Sequence, residues 1–294
     1  MATMKAIRIH EFGRLEQMKL EVIERPMARA GEMLVRVDAG SVNPVDWKTG
    51  EGKFPPVGAD KLPITPGRDV CGAVIEVGPG VSGFAAGDLV YAMLSVNHGG
   101  YAEYALVAPS ETARKPQSIS VTDASAVPLA ALTAWQGLFD HGQLRAWQTV
   151  LIHGGAGGVG HFAVQFARAA GAFVSTTVSR DQVAFARDLG AENAIDYKSQ
   201  WPTDGSFDLV LDLIGGETQE RSWSLLKQGG TLISRVQEPA KDRAAAIGGR
   251  AERFMCTPNA AQLVEIATLI DAGKVRVHID KVFWLSEARQ ALGI

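Results

Sequence analysis

The sequence has no excess of positive charge, only two cysteines and no long apolar run. Its 294 residues carry 29 Lys and Arg against 32 Asp and Glu, a net charge of −3, which argues against a nucleic-acid partner. Two cysteines cannot form a disulfide framework or a four-thiolate zinc cage, and they favour a reducing compartment. The most apolar stretch, residues 124–139, is interrupted by polar residues and Pro128. It falls short of the ~20 apolar residues that cross a bilayer, so we expect no membrane span.

The length and the first third of the chain indicate two domains, the first of them rich in β-structure. At about 150 residues per domain, the chain is long enough for two. Short segments rich in Val, Ile or Leu are bounded by Gly or Pro, which is typical of β-strands. These segments are residues 5–10, 18–23, 33–38, 70–77 and 88–93. They predict an antiparallel, barrel-like domain.

From about residue 124, strand and helix patterns alternate. Strands are predicted over residues 149–153, 172–178, 207–213 and 230–236, and helices over residues 159–170, 182–189, 217–226 and 260–272. Strands separated by helices of this length predict right-handed crossovers and a parallel sheet. Residues 275–284 return to β character. We assign residues 1–124, rejoined by about 273–294, to the first domain and residues 125–272 to the second domain.

A glycine motif lies between the first strand and the first helix of the second domain. Gly155, Gly157 and Gly160 fit the pattern G-x-G-x-x-G. Its glycines allow a tight turn, close approach of a pyrophosphate and close packing of helix on strand. Unpaired N–H groups at the helix start would then bind the phosphates. The alternative is a glycine-rich turn without a ligand, but the strand–loop–helix context favours dinucleotide binding.

The end of the next strand bears on the choice between NAD and NADP. An acidic residue there would accept a bond from the ribose 2′-hydroxyl of NAD, whereas a 2′-phosphate requires a cation or hydroxyl. This strand ends in Ser179, Arg180 and Asp181. Ser179 and Arg180 favour NADPH. Asp181 keeps NADH possible, and Arg180 could also be a solvated residue at a helix start.

Seven phrases spread along the chain together carry a family resemblance. They are residues 41–48 (SVNPVDWK), 65–69 (TPGRD), 72–80 (GAVIEVGPG), 87–88 (GD), 100–104 (GYAEY), 128–134 (PLAALTA) and 153–160 (HGGAGGVG). With these phrases the chain resembles the zinc-independent quinone oxidoreductase branch of the medium-chain dehydrogenase/reductase superfamily. The resemblance implies an α/β protein with a Rossmann doubly wound parallel sheet and an N-terminal GroES-like antiparallel β-barrel domain.

The sequence departs from the zinc-dependent members of the superfamily at their metal ligands. Asn43 stands where those members have a Cys three residues before an Asp, here Asp46. Arg68 stands where they have the His of Gly-His-Glu, and the four-cysteine structural lobe is missing. Asn and Arg are not ordinary zinc ligands, so we expect no catalytic zinc and assign no metal-binding residues.

Without a metal to polarise its carbonyl oxygen, the substrate must already be reactive toward hydride. Quinones and α,β-unsaturated carbonyls do so, because added hydride delivers charge into a delocalised system. The resemblance accordingly implies an enzyme, an NADPH-dependent quinone or enone reductase. It also implies a homodimer. The alternative from another class is an NADP(H)-binding structural or sensor protein without turnover.

The family resemblance points to Asn43, Asp46 and Lys48 as catalytic candidates. Asn43 is placed beside nicotinamide and substrate, where its amide could donate to a developing oxyanion; it could equally cap the turn before Pro44. Lys48 is a candidate proton donor or phosphate contact. Asp46 is expected to orient the backbone or to pair with a neighbouring cation more than to take part in proton transfer.

The resemblance also implies contacts to the cofactor beyond the three glycines of the motif. Thr133 matches a position at the nicotinamide end; the alternative is a helix residue whose side chain bonds back to the preceding turn. The other implied contacts are Gly158 and Val159 at the pyrophosphate, Tyr197 near the adenosine phosphate, and Ser234 to Val236 at the nicotinamide ribose.

The two ends of the chain carry two further expectations. The start lacks a basic segment followed by an apolar core, so no secretory signal is visible and we expect a cytoplasmic protein. Relatives of this branch usually continue beyond the last helix into one more strand, whereas this sequence stops at Ile294. We therefore expect a first domain without that strand.

Overall fold

The computed structural model describes residues 2–202 and 205–293 of the chain. The chain divides into two compact units. Unit 1 comprises Met1–Leu129, Pro258–Gly273 and Val277–Ile294, and unit 2 comprises Ala130–Thr257 and Lys274–Arg276. The helix over residues 260–271 thus falls in unit 1, whereas the boundaries drawn from sequence assign it to the second domain.

The described residues form thirteen strands and nine α-helices. The strands are β1 (Thr3–Ile9), β2 (Met18–Glu24), β3 (Met33–Ala39), β4 (Asp69–Val77), β5 (Leu89–Met93), β6 (Tyr104–Val107), β7 (Thr112–Arg114), β8 (Thr149–His153), β9 (Phe173–Val178), β10 (Asn193–Asp196), β11 (Phe207–Asp212), β12 (Leu226–Ser234) and β13 (Arg250–Arg253). The α-helices are α1 (Pro44–Gly50), α2 (Val121–Ser125), α3 (Pro128–Trp135), α4 (Gly160–Ala169), α5 (Val183–Asp188), α6 (Gly216–Ser222), α7 (Lys241–Ala246), α8 (Ala260–Asp271) and α9 (Ala288–Leu292). A π-helical segment, Gln136–His141, follows α3.

Unit 1 is built on a five-stranded antiparallel sheet in the order β6-β3-β4-β5-β7. A two-stranded ribbon, β1-β2, forms isolated bridges to segments that flank this sheet, Ala6 to Ala102 and Ile9 to Ile64. In β4 the residues from Asp69 to Val74 are all buried, and the strand becomes partly exposed from Ile75 onward. Val74 is fully buried while Ile75 is 39% exposed. One face of the sheet packs into an apolar core formed by Met33, Val35, Val70, Val74, Val90, Ala92, Leu94, Ala105 and Val107.

Unit 2 is built on a six-stranded sheet in the order β10-β9-β8-β11-β12-β13, in which every neighbouring pair is parallel. Its central strands are continuous apolar runs rather than alternating ones: Val150 to Ile152 and Leu209 to Leu211 are buried. Strands covered by helices on both faces require this pattern. The strand order is that of a Rossmann sheet, and it reverses between β8 and β11.

The predicted fold class is therefore confirmed. The antiparallel strands form an open five-stranded sheet with an attached ribbon, and the parallel sheet is doubly wound. The predicted strand and helix positions agree with the structure to within a few residues, except where the helix predicted over residues 217–226 ends. That helix ends at Ser222, and residue 226 already belongs to β12.

The β character expected over residues 275–284 is wrong. Among the described residues no strand includes this segment. Its apolar residues alternate with Lys, Arg, His and Asp, which resembles a half-buried strand, but an isolated segment becomes a strand only if a neighbour pairs with its backbone. The sequence pattern does not reveal whether that neighbour exists. In the described part of the chain, no helix is both long enough and apolar enough to span a bilayer.

The change from a buried to an exposed residue between Val74 and Ile75 of β4 gives a matched pair of substitutions. Val74→Ala removes two methyl groups from the core of the antiparallel sheet and should lower the free energy of unfolding by about 1–3 kcal/mol. Ile75→Ala, one residue further and on the exposed face, should cost well under half as much. Urea unfolding of both variants measures the difference. Equal losses would contradict the assigned burial of this strand.

Candidate functional site

The glycine motif forms the turn between β8 and α4, at the carboxyl end of the parallel sheet. A Cβ atom on Gly155 would overlap the hydroxyl oxygen of Thr176 in β9, and one on Gly160 would overlap the carbonyl oxygen of Gly154. These two glycines are therefore required by close packing of the turn on the sheet. This is the packing role that the motif predicts for its last glycine.

The middle of the same turn faces open space. A Cβ atom on Gly158 would have no neighbour within 4 Å, and one on Gly157 would meet only the Gly154 carbonyl, at 3.4 Å. Helix α4 begins directly afterwards and is ten residues long. A helix N-terminus presents N–H groups to an anion. The N–H of Gly157 donates within the turn to Gly154 O at 3.0 Å. Because no side chain fills the space at Gly157 and Gly158, the turn leaves room for a pyrophosphate at the start of α4, where the strand order reverses.

Asp212, at the carboxyl end of β11, organises the neighbouring loop. It is fully buried. Its Oδ1 accepts from the N–H groups of Ile214 and Gly215 at 3.0 and 2.8 Å, and its Oδ2 accepts from Gln219 Nε2 and Ser234 Oγ at 2.9 and 2.8 Å. A buried carboxylate must be satisfied in this way. Asp212 thus links the ends of β11 and β12 beside the glycine turn.

The buried imidazole of His153 belongs to the last residue of β8, directly before the glycine turn. Its Nδ1 lies 2.9 Å from Thr177 Oγ1 and its Nε2 lies 2.8 Å from Ser222 Oγ. Because the Ser222 hydroxyl donates to Thr218 O, Ser222 Oγ accepts from His153, which assigns the ring proton to Nε2. Desolvation lowers the pKa of His153 to about 4. The ring is therefore a neutral structural group.

The predicted 2′-phosphate contacts lie at the exposed end of β9. Ser179 precedes a 3-10 turn, and its hydroxyl donates to Gln182 Oε1 at 2.9 Å. Arg180 and Asp181 are exposed. Tyr197 is 48% exposed and follows β10, the parallel neighbour of β9. Ser179, Arg180 and Tyr197 therefore all lie at the carboxyl ends of two neighbouring strands.

The three other predicted cofactor residues lie in different surroundings. Ser234 ends β12, is fully buried and accepts from the N–H groups of Val236 and Gln237 at 3.1 and 3.2 Å. Val236 is 46% exposed. Thr133 is almost completely buried within α3. The hydroxyl of Ser234 is thus already used for loop geometry, whereas Val236 presents an accessible side chain.

In unit 1, Asn43 connects two buried carboxylates. It immediately precedes α1, and its backbone N–H donates to Asp46 Oδ2 at 2.8 Å. Its side-chain Nδ2 donates to Ser41 Oγ and to Asp69 Oδ2, both at 2.8 Å. Both amide protons of Asn43 are therefore engaged. The expectation that this amide donates to an oxyanion does not agree with these bonds, which give Asn43 a positioning role.

Asp69, the first residue of β4, is the centre of this hydrogen-bond network. Its Oδ2 also accepts from Ser41 Oγ at 2.5 Å, and its Oδ1 accepts from the N–H of Leu129 at 2.8 Å. Asp69 is fully buried, and desolvation raises its pKa to about 6, while the bonds from Ser41 and Asn43 act in the opposite direction.

Asp46 is as deeply buried as Asp69 but is less completely bonded. Its Oδ2 accepts from Asn43 N–H and from the Tyr101 hydroxyl at 2.9 Å, while its Oδ1 has no hydrogen-bond partner among the described residues. Desolvation raises its pKa to about 7. Gly67 makes room for Tyr101: its φ is +96°, and a Cβ there would overlap the phenol ring.

Lys48 does not join Asn43 and Asp46. Although it belongs to the same helix, it is exposed, and its Nζ lies 5.4 Å from the centroid of the Trp47 ring. Helical spacing explains the separation, because residues two apart point away from each other. The structure therefore brings together two of the three residues predicted as catalytic.

Three site residues were not predicted from the sequence: Ser41, Asp69 and Asp212. Each of the three lies in a sequence pattern that could have indicated it. Ser41 and Asp69 lie inside the family phrases SVNPVDWK and TPGRD, and Asp212 ends a buried strand shortly before two glycines. What could not be read from the sequence is that Ser41, Asn43 and Asp69 share hydrogen bonds. Within residues 2–202 and 205–293, no cluster of three or more His, Cys, Asp or Glu is arranged to hold a metal ion.

Comparison with known families matches both parts of the chain. Residues 29–117 match the alcohol dehydrogenase GroES-like domain, and residues 189–293 match the family described as zinc-binding dehydrogenase. A chloroplast envelope quinone oxidoreductase homolog of Arabidopsis thaliana is 32% identical over 310 residues, covering 98% of this chain and 93% of that protein. A chloroplastic NADPH-dependent alkenal/one oxidoreductase of the same plant is 33% identical and covers 94% and 72%.

A solved structure of similar fold agrees with these relatives. The quinone oxidoreductase from Coxiella burnetii superimposes with a TM-score of 0.88 at 35% identity, covering 99% of this chain and 94% of that one. Fold, glycine turn and sequence similarity extend over nearly the whole chain. The chain therefore belongs to the quinone oxidoreductase branch of the medium-chain dehydrogenase/reductase superfamily.

Proposed function

We propose that this protein is an NADPH-dependent reductase of quinones or α,β-unsaturated carbonyls that works without zinc. The observation that carries the proposal is the glycine turn, whose space at Gly157 and Gly158, unfilled by side chains, leaves room for a pyrophosphate at the start of α4. When bound, the reduced nicotinamide supplies the hydride. The relatives named for quinones and for alkenals and enones support the substrate class.

The side chains at the two positions that correspond to zinc ligands support a metal-free reaction. Asn43 uses its amide nitrogen to bond Ser41 and Asp69. Arg68 carries a permanent positive charge and offers no lone pair to a metal. Its Nε donates to Leu94 O at 2.6 Å. Neither group is a ligand of ordinary zinc sites, so substrates that already carry a conjugated carbonyl are favoured.

Ser179 and Arg180 support a preference for NADPH over NADH. They follow β9, next to the strand that leads into the glycine turn, where the adenosine ribose lies in a Rossmann domain. The exposed guanidinium can bind a 2′-phosphate. NADH stays the alternative because Asp181 could accept a ribose hydroxyl. The homodimer and the cytoplasmic location stay predictions; similar proteins include forms named mitochondrial and chloroplastic.

The first test is oxidation of NADPH in the presence of a panel of acceptors, followed by the loss of nicotinamide absorbance. We expect turnover of quinones and enones, no turnover of saturated ketones, and no effect of a chelator. Turnover of a saturated ketone that is lost on chelation would contradict the metal-free reaction. NADPH binding without turnover of any acceptor would favour the nucleotide-binding sensor instead.

The second test compares two exposed arginines of the same region. Arg180→Ala should raise the KM for NADPH about tenfold, because a charged hydrogen bond to the 2′-phosphate is lost, and should leave the KM for NADH nearly unchanged. Arg187→Ala, in α5, removes a similar charge away from the strand end and should change neither constant. Equal effects of Arg180→Ala on both cofactors would rule out the assigned phosphate contact.

A further inference from the structure

Unit 1 contains a cavity of about 460 Å³. Pockets that bind small organic molecules have volumes of roughly 300–1,000 Å³. All residues that line this cavity fall between residues 4 and 106, so it lies within unit 1. Its apolar lining includes Phe54, Val57, Ile64 and Leu106. The cavity can therefore cover the apolar part of a small ligand.

Positive charge predominates on the wall of this cavity. The lining groups that can carry charge near neutral pH are Arg8, Lys61, Arg68, His98, Glu24 and Asp46. Asp46 is only 1% exposed, and burial raises its pKa to about 7, so it presents almost no negative charge to the cavity. That leaves the exposed carboxylate of Glu24 against three cationic side chains. The wall thus favours an anion over a cation.

The guanidinium of Arg8 is held in place by another segment of the wall. The bridge between Ile9 and Ile64 joins the end of β1 to that segment through two backbone hydrogen bonds, of 2.9 and 3.0 Å. Beside the bridge, Arg8 Nη1 donates to Thr65 Oγ1 at 3.0 Å and Nη2 donates to Pro63 O at 2.8 Å. A guanidinium fixed in this way loses little conformational freedom when it binds a ligand.

In the described part of the chain, neither Arg8 nor Lys61 forms an ion pair with a carboxylate. The bonds of Arg8 go to a hydroxyl and a carbonyl. Lys61 Nζ donates to Pro56 O at 3.1 Å and to Asn97 Oδ1 at 3.4 Å. All four acceptors are uncharged. Because a guanidinium has five N–H donors and an ammonium has three, each group keeps donors and an unbalanced charge for a ligand.

We propose that this cavity binds a small organic carboxylate, whose oxygens accept from Arg8 and whose apolar part lies against the apolar wall, with Lys61 adding a second positive charge. A carboxylate matches the planar fork of a guanidinium. An anion without an apolar part would leave the apolar wall in contact with water. The inference goes beyond the proposed reaction, because every residue it uses belongs to unit 1 and the binding requires no cofactor.

Paired probes test the requirement for charge on the full-length protein without cofactor. Benzoate, phenylacetate and hexanoate are each compared with the corresponding primary amide in NMR titrations. We expect at least one acid to bind with a Kd of about 1 mM or lower, and its amide to bind about tenfold more weakly because it cannot pair with Arg8. Inorganic phosphate, which has no apolar part, should also bind more weakly than that acid. Equal affinity of every acid and its amide, tighter binding of phosphate, or no binding of any acid would overturn the inference.

Two arginines of unit 1 locate the bound carboxylate. Arg8→Met keeps an apolar stem but removes the guanidinium, and it should weaken binding of the acid about tenfold without changing that of the amide. Arg14→Met is the matched control, because Arg14 is exposed and does not line the cavity; it should change neither Kd. An acid that binds Arg8→Met as tightly as the wild-type protein, or that loses as much affinity in Arg14→Met, would contradict the assigned site.

A third variant decides the outcome if Arg8→Met does not fold. Lys61 is exposed, so Lys61→Met should leave the circular dichroism spectrum unchanged and weaken binding of the acid about two- to fivefold. An unchanged Kd in that variant would then overturn the inference. Binding also separates this inference from the proposed function. A protein that binds the acid through Arg8 but turns over no acceptor retains the inference and loses the reaction, whereas turnover without binding of any acid does the reverse.

Discussion

The hydrogen bonds to the buried carboxylate of Asp69 are the constraint on which the candidate site of unit 1 depends. Ser41, Asn43 and the backbone of Leu129 all donate to it, so two segments far apart in the sequence, residues 41–43 and residue 129, converge on one side chain. The cost of burying a charge makes these bonds obligatory. Asn43 is fixed by them, and through its N–H it fixes Asp46 at the start of α1.

Unit 2 also buries a hydrogen-bonded carboxylate, at the carboxyl end of its parallel sheet. Asp212 is also buried, and it accepts four hydrogen bonds from the loops that follow β11 and β12. Its position beside the glycine turn allows the surrounding backbone to be irregular without leaving polar groups unsatisfied. In both units an aspartate is therefore used to hold a loop, whereas Asp46 keeps one oxygen without a partner.

The sequence predicted the fold class and most elements well, and the site less completely. Periodicity and turn residues were sufficient for the sheets because strands and helices bury their faces at different spacings. They failed over residues 275–284, where a strand-like pattern pairs with no strand in the described part of the chain. They also grouped Lys48 with Asn43 and Asp46, although a seven-residue helix points these side chains in different directions.

By itself, the sequence determined the Rossmann motif, the alternation of strands and helices, and the substitution of Asn43 and Arg68 at the positions of zinc ligands. These are local properties, readable from residue type and spacing. Only the tertiary structure decided that both amide protons of Asn43 are engaged and that Asp46 is buried beside a cavity. Burial and hydrogen bonding depend on contacts between distant segments, and those contacts set the protonation of a carboxyl group.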